Sequence, residues 1–188
     1  MTLFPDFQLG LLNGWLPLLL YFIVFIISVS FYSKETRTWL FNNPRDPSKK
    51  ALTAFRIIGQ LMMVAFIVMM ILTPMKLYSP LLLAGAGIYF IGYVFVMSAL
   101  HFFRKTPIRQ PVVNGPYRIS RNPQWVGLFL VLMGSAIATG VWLYIAIIIV
   151  VGFIYHIQIL DEESACINKY GNSFREYMAR IPRYLFFM

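Results

Sequence analysis

The chain has 188 residues, of which 59% are hydrophobic and only 12% charged, and it carries a net charge of +9. A soluble domain carries about 25% charged residues, so this chain lacks the charge to cover a water-facing surface and a soluble globular fold is excluded. The excess of Lys and Arg would suggest nucleic acid in a soluble protein, but here it fits the loops of a membrane protein facing anionic headgroups, and no nucleic-acid partner is expected.

The apolar stretches set out the expected elements in chain order. Residues 7–33 hold no charged side chain. Within them, Leu11 to about Phe31 suits a membrane helix, which needs roughly 20 residues. The stretch lacks the basic start of a cleavable signal peptide and is too long for one. Lys34–Arg56 reads as a polar loop with a turn at Asn42-Asn43-Pro44. Ile57–Met75 is a second span. A short connection, Pro74–Pro80, follows and holds only Lys76. Leu81 to about Phe103 is a third span, in which Gly85-x-Gly87 suggests a small-residue face for helix packing. Arg104–Arg121 is basic and interrupted by Pro107, Pro111 and Gly115-Pro116, so it is not expected to form one helix.

From Asn122 to Leu160 there is no Asp, Glu, Lys or Arg. That length suits two helices joined by a tight turn at Thr139-Gly140. Asn122-Pro123 marks the start of the first, since Pro is well tolerated in a first turn. The tail, Asp161–Met188, is polar. Its Ser173 and Glu176 have capping-box spacing, with Phe174 and Tyr177 on one helix face and Pro182 as the stop. The expected fold is therefore an all-α integral membrane protein of about five transmembrane helices, ending in a helical hairpin and a tail helix.

Charge also sets the expected orientation. Lys34, Arg37, Arg45, Lys49, Lys50 and Arg56 lie in the first loop. Arg104, Lys105, Arg109, Arg118 and Arg121 lie in the second. The tail adds Lys169, Arg175, Arg180 and Arg183, and Lys76 alone lies opposite. The positive-inside rule then places the N-terminus outside and both loops and the tail in the cytoplasm. A multi-pass protein of the cell membrane follows. Cys166 is the single cysteine; it has no partner for an internal disulfide, no metal site is expected, and a small packing role suits it.

Two polar clusters beside apolar helices are candidate sites. The first runs from Asn114-Gly115-Pro116-Tyr117 to Arg121-Asn122-Pro123-Gln124-Trp125-Val126-Gly127. The second holds Asp161-Glu162-Glu163, Tyr170-Gly171, Phe174, Tyr177 and Pro182-Arg183. The acidic run admits two readings: a hydrated membrane boundary, or carboxylates that hold a ligand's ammonium group by charge-assisted hydrogen bonds. The helix start at Asn122-Pro123 is suited to an anion. His156 lies seven residues before Glu163 and shares its helix face. The tail aromatics are expected to dock on the membrane or on the bundle.

Together the clusters resemble a family of membrane methyltransferases that includes isoprenylcysteine carboxyl methyltransferase and the phospholipid N-methyltransferases. The family pattern is Gly-x-Tyr, then Arg-His-Pro-x-Tyr-x-Gly, a helical hairpin, Glu-Glu, Phe-Gly, Tyr-x-x-Tyr and Pro-Arg. Here it reads Gly115-x-Tyr117, Arg121-Asn122-Pro123-x-Trp125-x-Gly127, Glu162-Glu163, Tyr170-Gly171, Phe174-x-x-Tyr177 and Pro182-Arg183. Asn122 replaces the family's His and Trp125 its Tyr, and an upstream His of some relatives is Arg109. Asn122 hydrogen-bonds but does not titrate near neutral pH. The resemblance covers residues 112–185 and makes 1–188 one membrane domain, with three spans in 1–103 and a methyltransferase-like core in 104–188.

The resemblance implies S-adenosylmethionine as cofactor and a lipophilic or lipidated acceptor entering from the membrane lipids. Gly115, Tyr117, Arg121, Asn122, Pro123 and Trp125 would line the cofactor pocket. Glu162 and Glu163 would meet the ammonium and ribose hydroxyls, and Arg183 would close the site; these three carry the implied catalytic role. Two other readings stay open: a reductase of the sterol-reductase type using NADPH, and a non-catalytic protein whose basic loops bind anionic lipid.

Overall fold

The computed structural model describes residues 1–41 and 50–185, and the regular elements among them are all helices, with only isolated bridges between extended residues. In chain order the helices are α1 (Trp15–Ser30), α2 (Lys34–Phe41), α3 (Lys50–Ile71), α4 (Pro80–Lys105), α5 (Pro123–Thr139), α6 (Trp142–Tyr170) and α7 (Asn172–Arg180), with a 3-10 turn at Gly115–Arg118. Three of them, α3 from Thr53, α4 and α6, are long and apolar enough to cross a membrane, while α1 and α5 are apolar but shorter. Leu61 on α3, Phe90 on α4 and Phe153 on α6 stand exposed on the bundle's exterior, the arrangement expected where lipid replaces water as solvent. The expected all-α membrane fold is what is found.

Several boundaries differ from expectation, each for a local reason. The turn at Asn42-Asn43-Pro44 lies outside the described residues. The segment from Lys34 is not a plain loop: α2 forms there, with Ser33 Oγ accepting from the Thr36 amide at 3.1 Å as an N-cap. The second span ends at Ile71 rather than Met75, because Pro74 disfavours helix in the residue before it. Helix α6 does not stop at Leu160 but runs through the acidic residues to Tyr170. Glutamate is a good helix former, and the stop comes only at Gly171, whose φ of +61° suits glycine. The Ser173–Glu176 capping box does not form; Ser173 Oγ donates to the Tyr170 carbonyl instead. The Thr139-Gly140 turn is found as expected, with Gly140 at φ +71° ending α5.

The tightest packing is between antiparallel α4 and α5. A Cβ on Gly85 would lie 2.5 Å from the Gly134 carbonyl oxygen, and one on Gly92 would lie 2.6 Å from that of Gly127. The packing face is therefore Gly85 and Gly92, two turns apart, against Gly134 and Gly127. Gly87, expected on that face, meets nothing within 4 Å.

Hydrogen bonds close each end of the bundle differently. At one end the N-terminal segment is tied to the α3–α4 and α5–α6 connections: the Thr2 amide donates to the Gly140 carbonyl at 2.8 Å, and the buried Asn13 amide group donates to the Ile71 carbonyl at 2.9 Å. Lys76 sits there. The other end gathers α2, the 106–122 connection, the acidic stretch of α6, α7 and the tail. Tyr32 OH donates to the Leu100 carbonyl at 2.6 Å, and Arg56 pairs with Asp161 at 2.6 Å. Both candidate clusters lie at this basic end.

Candidate active site

Three adjacent carboxylates on α6 point in three directions, because each residue of a helix is rotated by about 100° from the last. Asp161 faces Arg56 on α3. Glu162 accepts from the Trp125 indole N–H of α5 at 3.1 Å. Glu163 turns inward and is 4% exposed. Only a hydrated boundary would leave all three in water, so that reading of the run fails at Glu163.

Glu163 is the hub of the cluster. Arg121 Nε donates to its Oε1 at 3.0 Å, and the Asn122 side-chain amide donates to the same oxygen at 3.1 Å. Arg183 Nε donates to Oε2 at 3.0 Å. Arg121 Nη2 also donates to Oε2 at 3.5 Å, and its Nη1 reaches the tail carbonyls of Met178 at 2.8 Å and Ile181 at 2.7 Å. Ser120 Oγ and the Asn122 amide group both donate to the Arg183 carbonyl. One buried carboxylate thus joins the start of α5, the body of α6 and the segment after α7. A buried charge is tolerated when it is paired and its lone pairs are filled, and both conditions hold here.

A second layer fixes Tyr117. Its hydroxyl accepts from the Gln124 side-chain amide at 3.1 Å, and its carbonyl accepts from Tyr177 OH at 2.7 Å. Burial pushes both tyrosine hydroxyls above their usual range, so both are neutral donors or acceptors at physiological pH. Gly115 precedes this turn at φ +62°, and a Cβ there would meet the Phe102 ring at 2.2 Å. Phe174 and Tyr177 dock in the cluster that holds Tyr117 and Ala99, as expected for the tail aromatics.

These residues enclose a polar cavity of about 190 Å³. Of the residues singled out in the sequence, Tyr117, Arg121, Asn122, Pro123, Trp125, Glu162 and Glu163 line it together. Gly115 and Arg183 do not; Gly115 supports the turn under Phe102, and Arg183 holds Glu163 from behind. The lining also includes residues not assigned to a cofactor from the sequence: Gln124, Cys166, Tyr170 and, from α2, Trp39 and Leu40. Gln124 sits between two motif residues and was within reach of sequence reasoning. Trp39 carried no signal, being one aromatic in a basic segment far from either cluster.

Beside the cavity, α5 and α6 enclose a larger, almost wholly apolar groove of about 600 Å³, bounded by Met63 of α3. Phe129, Ile148 and Phe153 give its character. Its few polar groups gather near the basic end, where His156 Nδ1 and Tyr184 OH share a hydrogen bond of 2.8 Å. The His156 and Glu163 face of α6 therefore grips the tail twice, through Tyr184 and Arg183. Trp125 lines both cavity and groove, with its ring 4.7 Å from that of Tyr155. No group of three or more potential metal ligands occurs among the described residues.

A search of curated proteins finds no match to the chain. The profile of one family does match, described as phospholipid methyltransferase, over residues 68–173. The match begins in α3 and takes in all of α4, a helix that the motifs alone left as a generic span, and it stops before most of α7. It covers more than half of the chain, including both glycine-packed helices, the 3-10 turn, Arg121-Asn122-Pro123 and Glu162-Glu163. With its apolar spans and this match, the chain belongs to the phospholipid methyltransferase family of membrane proteins.

Proposed function

We propose that the protein transfers a methyl group from S-adenosylmethionine to a lipophilic or lipidated acceptor at the cytoplasmic face of the cell membrane. The reading is carried by one observation: a polar, acidic, aromatic cavity and an apolar groove adjoin, with Trp125 as their common wall. A charged cofactor from water and a greasy acceptor from lipid need adjoining chambers of these two kinds. Family membership favours this reading over the reductase and the non-catalytic lipid binder.

The cavity's donor set fits the cofactor. Glu162 supplies a carboxylate for its ammonium group, and the faces of Tyr117 and Trp125 suit a cation. Pro123 opens the first turn of α5 without an N–H of its own, and the backbone amides of Gln124 and Trp125 in that turn suit a carboxylate. Glu163 acts on this site through its neighbours, holding Arg121, Asn122 and Arg183 in place. S-adenosylmethionine supplies an electrophilic methyl group on a sulfonium. The protein's contribution is to hold the acceptor in line with that methyl group, at a near-attack distance of about 3–3.5 Å, and to keep water out. A carboxylate or thiolate acceptor needs no base. For an amine, the proton goes to Glu162 or to His156, which lies in the groove beside Tyr184.

The test is calorimetric titration of the purified protein with S-adenosylhomocysteine. Saturable binding is expected, weakened at least tenfold in Glu162→Gln. Absence of saturable binding by the wild-type protein overturns the proposal. Unchanged function in both Glu162→Gln and Tyr117→Phe would favour the non-catalytic reading.

A further inference from the structure

Helix α2 lies outside the residues matched by the family profile, which begin at residue 68. Yet Trp39 and Leu40 of α2 line the polar cavity together with the motif residues. We propose that α2 is a wall of the methyl-donor site, and that Trp39 is a cofactor-contacting residue holding the flat purine end of the molecule. The inference rests on the S-adenosylmethionine reading and adds to it a binding element that the family core does not contain.

Three observations carry it. First, α2 is fixed in place rather than hanging from α1. Ser33 caps it, Arg37 Nη2 donates back to the Ser30 carbonyl at 3.2 Å, and Tyr32 at its root is bonded to the Leu100 carbonyl of α4. Second, the Trp39 ring is oriented by α6. Lys169 Nζ lies 3.1 Å from its centroid, a cation–π contact, and the Tyr170 ring meets it edge-on at 6.2 Å and 83°. A ring held this way by its neighbours loses little freedom when a ligand arrives, which favours affinity.

Third, the cavity has two distinguishable ends. Glu162 and Trp125 mark the end that adjoins the apolar groove. Tyr170, the partner of Trp39, lies eight residues further along α6, about 12 Å at 1.5 Å per residue. The methyl group must be delivered at the groove end, where the acceptor is. With the amino-acid arm of the donor held at Glu162, its other long arm extends toward Trp39 and Tyr170. That arm ends in a planar purine, and aromatic side chains bind such rings by stacking.

The test compares wild-type, Trp39→Ala and Trp39→Phe proteins by calorimetric titration with S-adenosylhomocysteine, alongside thermal melting without ligand. The expected result is at least a tenfold rise in Kd for Trp39→Ala, with most of the affinity kept by Trp39→Phe and at most a small drop in the ligand-free melting temperature. A purely packing role would instead lower the melting temperature and leave Kd alone. Should Trp39→Ala fail to fold, tryptophan emission is followed during titration of the wild-type and Trp39→Phe proteins. A ligand-induced change that shrinks by at least half in Trp39→Phe supports the proposal. Wild-type binding with Kd within twofold in Trp39→Ala, or with the full emission change kept in Trp39→Phe, overturns the role of Trp39 alone. No binding by the wild type overturns the cofactor reading and this inference together.

Discussion

At Glu163 a single carboxylate faces two guanidinium groups, and its removal leaves both without their counter-charge in a buried setting. Arg121 itself is 8% exposed. Breaking a buried ion pair by deleting one partner costs about 3–5 kcal/mol, so Glu163→Ala is expected to lower the thermal unfolding midpoint in detergent markedly. Glu163→Gln keeps the shape and an acceptor oxygen and should fall between the wild type and Glu163→Ala. Equal midpoints for all three would show that the cluster does not hold the fold. Much of this site was legible in the sequence: the motif residues on either side of the hairpin do meet around one cavity. Their division of labour was not. Asp161, Glu162 and Glu163 are neighbours of like charge, and nothing local distinguishes the surface pair, the indole acceptor and the buried hub. Only the helical rotation, set against α3, α5 and the tail, assigns them.

Among the elements, α4 and α5 make the clearest case for packing as the determinant. In lipid the helices gain little from hiding apolar surface, so close approach of backbones at small residues supplies the attraction. Gly127→Ala places a methyl group 2.5 Å from a Val96 methyl and 2.8 Å from the Gly92 carbonyl oxygen. Overpacking of this kind costs about 1–3 kcal/mol, and reduced thermal stability is the expected reading. Gly87→Ala, on the same pair of helices but in open space, should be neutral or stabilising by about 0.5–1 kcal/mol, since alanine favours helix over glycine. A larger loss from Gly87→Ala than from Gly127→Ala would contradict the assigned face. The sequence pointed to glycines in this span but paired Gly85 with the wrong one. Two residues apart puts Gly87 on the far side of the helix, whereas Gly92, seven on, returns to the same face. The misplaced end of α6 has a related cause: charge marks where lipid ends, and a helix ends where its backbone is broken, here ten residues later at Gly171.

For the whole molecule, the two ends of the bundle differ in charge as the sequence led one to expect. Lys76 lies at one end, and the basic connections, α2 and the tail lie at the other. On the positive-inside rule we propose that the basic end faces the cytoplasm. In a Cys166→Ala background, a cysteine replacing the fully exposed Tyr78 should react with a membrane-impermeant maleimide on intact cells. One replacing the exposed Arg175 should react only after lysis. The reverse pattern would invert the orientation and place the cavity outside. The apolar segments were readable because hydropathy is a property of single segments, although among the described residues only α3, α4 and α6 are long and apolar enough to cross a membrane, and α1 and α5 are shorter. The participation of α2 was not, because it depends on how a segment near residue 39 meets one near residue 170.

The grip of Arg121 on the carbonyls of Met178 and Ile181 has a consequence for how the protein is made. The chain is made in sequence order, so α1 to α6 are synthesised before the 178–183 segment that completes these contacts. Without that segment, Arg121 and Glu163 have each other and Asn122 but lack most of their remaining partners, and without α7 the cavity also lacks Phe174 and Tyr177. The cluster is therefore completed by a segment made after α6, which is the last of the three helices among the described residues long and apolar enough to cross a membrane. A chain halted just after α6 would keep the apolar helices but lack Phe174 and Tyr177 of the cavity lining and the tail's grip on Arg121, and its pocket would be unfinished.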